Sequence, residues 1–371
     1  MATQRLMGKT AAELAEIFRR YDAPDYRHRQ VFHALYRRRV TTIEAMTDIP
    51  LRLREELARD FVITDVEVSQ TFESSDGTRR YLLRLADATF IETVWIPEDY
   101  ADTICISTQA GCPIACTFCM TGRLGLRRQL DAGEIVSQVA LVLNDRYGVG
   151  GSPARGTNIV LMGMGEPLLN YENVIRAVQL LCDPRGFNIS ERRITLSTVG
   201  VVPRIRDLAR EPVRPELAIS LSAPTDELRN QLIPLNRRWP LGQLMEVCRQ
   251  YPLRRNEWIS FEYVMLDGIN DRDEQARQLV SLLRGLRAKV NLIPHNPAPE
   301  LAYRSSPMDR ILRFQSLLRE GGLLTFIRQP RGRDIDAACG QLAARRPPTS
   351  PAGGEETTGT PPAQCDRREY E

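Results

Sequence analysis

The sequence lacks the segments that would carry a chain into or across a membrane. No apolar run approaches the ~18 residues that a membrane-spanning helix needs. The first thirty residues contain Glu13, Glu16, Arg19 and Arg20 and no apolar stretch of the kind found in a secretory signal. We therefore expect a cytoplasmic protein with no membrane partner, in which the cysteines are mostly reduced.

The chain is also poor in histidine and nearly balanced in charge. It has three histidines, His28, His33 and His295, and a formal net charge of only +3, which by itself predicts no nucleic-acid partner. With 371 residues, of which 42% are hydrophobic, it can bury one large core and carry one or two small additions.

Three of the eight cysteines lie close together, in Cys112-Pro-Ile-Ala-Cys116-Thr-Phe-Cys119, with the spacing C-x3-C-x2-C. Three thiolates can hold three irons of a four-iron, four-sulfur cluster, which leaves the fourth iron open to a substrate group. This spacing is typical of radical S-adenosylmethionine (SAM) enzymes, in which the open iron binds SAM.

Two other interpretations fit these cysteines less well. A structural zinc ion usually takes four ligands from two separated pairs, and the chain has no second pair. A disulfide framework is uncommon in a long chain without a secretory signal. We favour the iron-sulfur cluster and keep zinc as the alternative.

From about residue 100, apolar strand patterns alternate with amphipathic helix patterns. Alternation of this kind predicts an α/β fold of parallel βα units, and six units make a partial (β/α)6 barrel of the TIM type that stays open. Chemistry gathers at the carboxyl ends of the strands in such barrels, and the three cysteines follow the first strand. The predicted strands are Thr103–Thr108, Asn158–Met162, Arg193–Ser197, Leu217–Leu221, Ile259–Leu266 and Val290–Pro294, and the predicted helices are Ala132–Tyr147, Asn173–Cys182, Leu241–Arg249 and Glu274–Leu286.

Residues 1–62 predict a small helical accessory domain. Thr10–Tyr21 and Tyr26–Tyr36 have helical periodicity, and Ile43–Phe61 predicts two short helices on either side of Pro50. Residues 1–60 contain 12 Lys and Arg against 9 Asp and Glu. Basic and aromatic residues together suit RNA, but they equally suit a solvated helical face. The residues concerned are Tyr26, Arg27, Arg29, Phe32, Tyr36, Arg37, Arg38 and Arg39.

The rest of the chain divides into three further parts. Residues 63–98 alternate in the manner of strands and predict a β-rich extension, with a hairpin turn at Ser75-Asp76-Gly77. Residues 99–343 predict the barrel and a C-terminal cysteine segment. Residues 344–371 are rich in Pro, Thr, Gly and Ser and predict a disordered tail, in which Cys365 is incidental.

Two further motifs point to a ligand. Gly163-Met-Gly-Glu-Pro167 follows an apolar strand, and its glycines let the backbone come close to a bound molecule. In radical SAM barrels a glycine-glutamate turn of this kind holds the amino group of SAM. Cys339 lies between Ala338 and Gly340 after a charged loop, which suits an exposed thiol near a ligand. Cys182 and Cys248, in contrast, fit small buried side chains of apolar helices.

Five segments in the same order resemble the RlmN family of radical SAM methyltransferases, which methylate carbon 2 of adenosine in 23S rRNA and tRNA. The resemblance runs from about residue 10 to residue 342. It implies one [4Fe-4S] cluster, two SAM molecules per turnover, an electron donor for the cluster and a reductant for a disulfide. The segments are Cys105-Ile-Ser-Thr-Gln-Ala-Gly-Cys112, the three-cysteine loop, Gly163-Met-Gly-Glu-Pro-Leu-Leu-Asn170, Thr195-Leu-Ser-Thr198 and Ile335-Asp-Ala-Ala-Cys-Gly-Gln-Leu342.

The resemblance implies a role for particular residues. The three clustered cysteines would bind the cluster. Cys339 would be the cysteine that is itself methylated, Cys105 the thiol that resolves the intermediate, and Glu92 the proton acceptor. The residues that match SAM-contacting positions are Gly165, Glu166, Ser197, Ser220, Leu221, Ser222 and Asn296.

Two positions depart from the family pattern. Ser222 stands where the family usually has histidine after Ser-Leu, so one SAM contact has a shorter side chain here. Gln129 stands between Arg128 and Leu130 where the family usually has asparagine, which is a milder change.

The implied chemistry explains why a methylated cysteine is needed. Carbon 2 of adenine is electron-poor and cannot attack the methyl group of SAM. Cys339 would take a methyl group from one SAM by displacement, and a second SAM would supply the radical that activates this methyl group toward carbon 2. Glu92 would take the proton, and Cys105 would attack the sulfur of Cys339 and release the RNA.

The target base must leave its stack to enter such a pocket. Three arginines beside the cysteine loop, Arg123, Arg127 and Arg128, are expected to hold the surrounding phosphates. Two alternatives stay open: methylation of carbon 8 of the same adenosine, against which the Ala-Ala-Cys-Gly-Gln-Leu segment argues, and a non-catalytic RNA-binding protein of the same fold, which the departure at Ser222 would allow.

Overall fold

The computed structural model describes residues 4–344, so Cys365 and the predicted tail from residue 345 onward lie outside the described residues. Within that range, the strands are β1 (Gln4–Arg5), β2 (Phe61–Val62), β3 (Glu67–Glu73), β4 (Arg79–Arg84), β5 (Phe90–Ile96), β6 (Asp102–Cys105), β7 (Gln109–Gly111), β8 (Leu126–Gln129), β9 (Thr157–Leu161), β10 (Ile194–Thr198), β11 (Glu216–Ser220), β12 (Ile259–Met265), β13 (Ala288–Pro294) and β14 (Leu324–Ile327). The helices are α1 (Ala11–Arg19), α2 (Arg27–Tyr36), α3 (Leu51–Asp60), α4 (Met120–Arg123), α5 (Ala132–Tyr147), α6 (Tyr171–Cys182), α7 (Val202–Leu208), α8 (Asp226–Leu232), α9 (Leu241–Gln250), α10 (Asp273–Leu283) and α11 (Met308–Glu320).

Ten of these strands form one sheet, in the order β14-β13-β12-β11-β10-β9-β6-β5-β4-β3. The strands β6 and β9 to β14 are all parallel, and the βα connections between them place helices outside the sheet. Each of the six predicted core strands and four predicted core helices is present, with bounds that shift by a few residues. The prediction of an open, partial barrel is therefore confirmed.

The parallel part of the sheet contains one strand that the sequence did not indicate. β14 pairs with β13 at the edge of the barrel and has only four residues, of which Leu324 and Phe326 are about half exposed. A short edge strand with exposed apolar side chains lacks the buried run by which the other parallel strands were recognised.

The predicted β-rich extension is present as the antiparallel strands β3, β4 and β5. They continue the same sheet, because β5 pairs antiparallel with β6, the first strand of the barrel. The predicted hairpin turn joins β3 to β4: Ser74 N donates to Thr78 O at 2.8 Å, and Gly77 has a φ of +83° that favours glycine.

The N-terminal part differs from the helical prediction in two places, one of which is the short parallel pair of β1 and β2. Thr10 begins α1 with a capping box that Glu13 completes, as its sequence indicates. The segment Ile43–Phe61 contains one helix, α3, instead of two short ones. Pro50 stands at the N-cap of α3, and the few residues before it form turns because a helix rarely runs into a proline.

Most of the aromatic side chains near the N-terminal arginines are structural. Phe32 and Tyr36 on α2 are buried in the core, and Tyr36 Oη accepts from Gly8 N and donates to Lys9 O. Arg39 is buried as well and binds Asn144. Only Tyr26 of these aromatic residues is substantially exposed, and whether this region binds RNA stays a prediction. The division into separate domains stays a prediction.

No helix among residues 4–344 is both long enough and apolar enough to cross a membrane.

Candidate active site

The three clustered cysteines lie in a loop that joins β7 to β8, directly after the first barrel strand. Gly111 closes this loop against Gly125: its φ is +82°, and a Cβ there would lie 1.8 Å from Gly125 O. Cys112 N donates to Gly125 O, and Thr117 N donates to Leu232 O at the end of α8. The loop is therefore held at its base and near its middle by backbone hydrogen bonds, and its three cysteines line the pocket.

The three clustered cysteines face one pocket. Cys112, Cys116 and Cys119 are free thiols that line one pocket. Burial raises the pKa of each thiol, and neighbouring cysteines raise the pKa values of Cys112 and Cys116 further. Among residues 4–344, no group of three or more His, Cys, Asp or Glu side chains is arranged to hold a metal ion.

The pocket stands at the carboxyl ends of the parallel strands and contains about 960 Å³ of empty space, part of it open to solvent. The part of this space that water-sized molecules can reach is about 160 Å³. Ten of the thirteen residues singled out from the sequence line it: Cys112, Cys116, Cys119, Gly165, Glu166, Ser197, Ser220, Ser222, Asn296 and Cys339.

The glycine-glutamate turn places a carboxylate in this pocket. Gly165 has a φ of +109°, and a Cβ there would lie 2.6 Å from the Gln109 side chain, so no other residue fits the turn. Glu166 accepts hydrogen bonds from Val199 N at 2.9 Å and from Leu168 N at 3.0 Å. Burial raises the pKa of Glu166 to about 7, and these hydrogen bonds offset that effect only in part. Glu166 has no basic partner within 4 Å among the described residues, so it can receive a cation.

A row of polar side chains crosses four neighbouring strands at the floor of the pocket. Ser197 Oγ and Ser220 Oγ lie 3.1 Å apart on β10 and β11, and Ser220 is the register partner of Glu262 on β12. Asn291 on β13 donates to Glu262 at 2.7 Å, and burial raises the pKa of this carboxyl. Glu262 lines the pocket but was missed in the sequence. The available signal was a lone charged residue within an apolar strand.

Cys339 reaches the same pocket from the C-terminal segment. Asn296 Nδ2 donates to Cys339 O at 3.2 Å, and Met120 N donates to Gly340 O at 2.8 Å. Cys339 is an exposed residue, and the pocket around its thiol raises the pKa of that thiol by desolvation, while the nearby Arg328 opposes this effect. The thiol is close enough to Cys105 for its charge to raise the pKa of Cys105, to which burial contributes more.

Three of the singled-out residues do not line the pocket. Cys105 lies behind it, at the end of β6, and is nearly buried. Leu221 directs its fully buried side chain into the core, while its carbonyl accepts from Arg229 Nε. Glu92 is buried on β5 and pairs with Arg80.

Ser222 and Arg128 each have a local role in this structure. Ser222 lines the pocket with a left-handed φ of +53°, and its carbonyl accepts from Asn270 Nδ2 at 2.8 Å.

Arg128 forms ion pairs with Asp87 and Glu134, which neutralise its charge, so the expectation that it holds phosphates is not supported. Arg123 and Arg127 are exposed and form no ion pair with the described residues.

A buried arginine behind the pocket was also missed. Arg229 on α8 is 1% exposed and has no carboxylate within ion-pair distance among the described residues. It donates to the carbonyls of Val199, Ser220 and Leu221 and to Asn236. Burial lowers its pKa to about 10, so it stays charged at neutral pH, close to Cys116. Nothing in the local sequence of α8 distinguishes this arginine from the exposed arginines of the chain, so its burial could not be predicted.

The open parallel barrel, the three-cysteine loop after its first strand and the glycine-glutamate turn define the fold and site of a radical SAM enzyme. The family model of the radical SAM superfamily matches residues 106–280, and the model described as the ribosomal RNA large subunit methyltransferase N-terminal domain matches residues 4–63. Members of this superfamily bind a [4Fe-4S] cluster and SAM.

The chain belongs to the RlmN family. It is 47% identical over 339 residues to a probable dual-specificity RNA methyltransferase RlmN of Koribacter versatilis, with 87% of this chain and 97% of the relative covered. It is 45% identical to the dual-specificity RNA methyltransferase RlmN of Syntrophotalea carbinolica, with 95% of this chain and 93% of the relative covered.

A solved structure agrees with this assignment. The crystal structure of a radical SAM methyltransferase from Sphaerobacter thermophilus is 44% identical in sequence and has a TM-score of 0.88, with 92% of this chain and 100% of that chain covered. The family, fold and enzyme class predicted from the sequence are confirmed.

Proposed function

We propose that this protein methylates carbon 2 of an adenosine in 23S rRNA and in tRNA, through a methylated Cys339. The proposal draws on relatives that are named dual-specificity RNA methyltransferases. The observation that carries it is the position of Cys339, which lines the same pocket as the three clustered cysteines and is electrostatically coupled to Cys105.

The pocket residues divide into cluster ligands and SAM ligands. Cys112, Cys116 and Cys119 hold the cluster, and Glu166 receives the ammonium group of SAM. When bound, the cluster and SAM supply a methyl group and the radical that activates it. The proposed SAM contacts from the strand ends are Gly165, Ser197, Ser220, Ser222 and Asn296. Leu221 is a contact only by the family resemblance, because its side chain is in the core and its backbone N–H and carbonyl already bind Glu262 and Arg229.

Cys339 and Cys105 act in sequence on the methyl group. The Cys339 thiol would lose its proton and take the methyl group of one SAM, with S-adenosylhomocysteine as the leaving group. A second SAM, cleaved with one electron, would remove one hydrogen from that methyl group and leave as methionine and 5′-deoxyadenosine, and the carbon would then join carbon 2 of the base. Cys105 would then attack the sulfur of Cys339: a disulfide bond forms, the bond from that sulfur to the carbon on the RNA breaks, and this carbon takes up a proton to become the methyl group. Two electrons from a cellular thiol reductant restore both thiols, and a separate donor feeds the cluster.

Glu92 is the proton acceptor in this proposal. Its carboxylate accepts from Ala343 N at 2.9 Å and from Ala344 N at 3.2 Å, so these contacts must loosen when it takes the proton of carbon 2. Since ribosomal RNA and tRNA are the proposed substrates, we also propose a cytoplasmic location.

The test is nucleoside analysis of a methylated RNA. Cluster-loaded protein is incubated anaerobically with SAM, a reductant and a 23S rRNA fragment or tRNA, and the digested RNA is compared with 2-methyladenosine and 8-methyladenosine standards. We expect 2-methyladenosine from the unsubstituted protein and none from Cys339→Ala. An 8-methyladenosine product would overturn the assigned position, and failure to cleave SAM would favour a non-catalytic RNA-binding protein.

A further inference from the structure

The segment that carries Cys339 belongs to no strand of the sheet and contains only one short 3-10 helix, Arg333–Ile335. We call Gly332–Ala344 the cysteine strap. Its middle part is tied to the cluster loop and the barrel: Thr121 Oγ1 donates to Leu342 O at 2.7 Å, and Gln341 Nε2 donates to Pro297 O at 3.0 Å. Its two ends are held elsewhere.

The beginning of the strap is bound to the turn between β3 and β4, about 260 residues earlier in the chain. Asp334 accepts from Ser74 Oγ at 2.5 Å and from Ser75 N at 3.0 Å. Gly332 N donates to Asp76 at 3.0 Å. Burial acts to raise the pKa of Asp76, but hydrogen bonds from Gly332 and Thr78 lower it to about 2. Asp334 also has a lowered pKa because of its two serine partners, so both carboxylates are ionised at neutral pH.

The cysteine strap packs closely against the turn between β3 and β4. Gly332 has a φ of +63°, and a Cβ at this position would lie 2.8 Å from Ala337 Cβ and 3.0 Å from Thr78 Cγ2. A glycine is therefore required where the strap meets the turn, by its backbone conformation as well as by the space available.

The end of the strap is bound to the same antiparallel extension. The amides of Ala343 and Ala344 donate to Glu92 on β5, and Arg80 on β4 holds the other oxygen of that carboxylate. The strand that carries Glu92 also pairs with the strand that ends at Cys105, where Val94 is the register partner of Cys105. One rigid element thus contacts the strap at both ends and the strand of the second thiol.

We infer that the antiparallel extension β3–β5 is a docking platform that positions Cys339 relative to Cys105, with Asp334 and Ser74 as positioning residues. The inference rests on the proposed function, since it concerns the encounter of these two thiols. A strap fixed at both ends allows the Cys339 sulfur fewer positions, which raises its effective concentration at Cys105.

The experiment measures that effective concentration directly. Full-length, cluster-loaded protein is equilibrated anaerobically in buffers of reduced and oxidised glutathione, free thiols are alkylated, and the peptide that joins Cys105 to Cys339 is quantified by mass spectrometry. In this exchange one oxidised glutathione takes up two electrons and yields two reduced molecules for each protein disulfide formed. The variants are Asp334→Ala, Asp334→Asn, Ser74→Ala and the double variant Asp334→Ala/Ser74→Ala, and the matched control is Asp336→Asn, two residues along the same strap.

We expect Asp334→Ala to lower the effective concentration by about tenfold, because it removes two hydrogen bonds to a charged group. Asp334→Asn should lower it less, since one acceptor oxygen remains. The double variant should fall little below Asp334→Ala, and Asp336→Asn should match the unsubstituted protein. Thermal denaturation identifies any variant that fails to fold, and in that case Ser74→Ala alone decides.

The possible results distinguish a failure of the platform inference from a failure of the proposed roles of Cys105 and Cys339. If the unsubstituted protein forms the disulfide and the Asp334 and Ser74 variants form it equally well, the platform has no positioning role. If the unsubstituted protein forms no disulfide between Cys105 and Cys339 in any buffer, the proposed roles of the two thiols fail, and the platform inference fails with them.

Discussion

Replacing Glu92 separates a structural role that is visible in the fold from the chemistry proposed for it. The carboxylate is fully buried, forms an ion pair with Arg80 and accepts from two backbone amides. Removal of one partner of a buried ion pair typically costs about 3–5 kcal/mol, because the other charge is left without compensation. Glu92→Gln keeps the shape and one acceptor oxygen, so we expect a loss of about 3 kcal/mol in the free energy of unfolding.

The matched variant is Arg80→Met, which breaks the same ion pair from the other side. We expect a similar loss of stability, and Arg80→Met/Glu92→Gln should lose much less than the sum of the two single losses, since no lone charge stays buried. Denaturation by guanidinium chloride measures all three variants. Additive losses, or no loss in either single variant, would refute the ion-pair argument.

The chemistry is then compared under conditions where every variant is folded. If Glu92 accepts the proton of carbon 2, Glu92→Gln should still acquire the methyl group on Cys339 but form methylated RNA at least about 100-fold more slowly, the usual minimum effect of a lost general base. Arg80→Met should keep most of its turnover. Equal rates in Glu92→Gln and the unsubstituted protein would show that Glu92 is only structural.

Three further predictions concern the pocket. Burial raises the pKa of Glu166 to about 7, and only the ionised form of this carboxyl attracts an ammonium group. SAM affinity should therefore rise with pH and level off above about 7, with protons released on binding below that value. Equilibrium dialysis that finds no pH dependence of SAM affinity would contradict this. Gly165→Ala should abolish SAM binding in the same assay, because the added Cβ would collide with the Gln109 side chain. The control is Gly242→Ala on α9, where nothing lies within 4 Å of the added Cβ. This control should keep SAM binding, and its free energy of unfolding should rise by roughly 0.5–1 kcal/mol. Arg229→Met should lower the free energy of unfolding in denaturant by about 3 kcal/mol, since three carbonyls lose their donor. It should also make the reduction potential of the cluster more negative, as measured in a titration followed by electron paramagnetic resonance. An unchanged potential would mean that the charge of Arg229 does not act on the cluster.

The barrel could be predicted from the sequence because its strands are short apolar runs between amphipathic helices. Ala132–Tyr147 was predicted with the bounds that α5 has, and the strands Asn158–Met162 and Leu217–Leu221 differ from β9 and β11 by one residue at each end. The edge strand β14 and the β7–β8 hairpin around the cysteines escaped prediction, because their pairing depends on distant partners more than on a local pattern.

Site residues could be predicted from the sequence where the chemistry requires a particular residue type. They were harder to predict where the fold determines which way a side chain points. Cysteine spacing singled out a loop whose three thiols line the pocket, and the small residues around Cys339 indicated an exposed thiol. Spacing could not reveal that the Leu221 side chain points into the core, or that Arg128 is neutralised by two carboxylates. It also could not reveal the contact between Asp334 and Ser74, because nothing local in either segment encodes a partner about 260 residues away.

The most direct test of the account is mass spectrometry of the Cys105→Ala variant after anaerobic incubation with SAM, a reductant and RNA. The account predicts that the RNA stays covalently joined to Cys339 through a single carbon, because the thiol that would release it is absent. Normal turnover of Cys105→Ala without any adduct on Cys339 would contradict it.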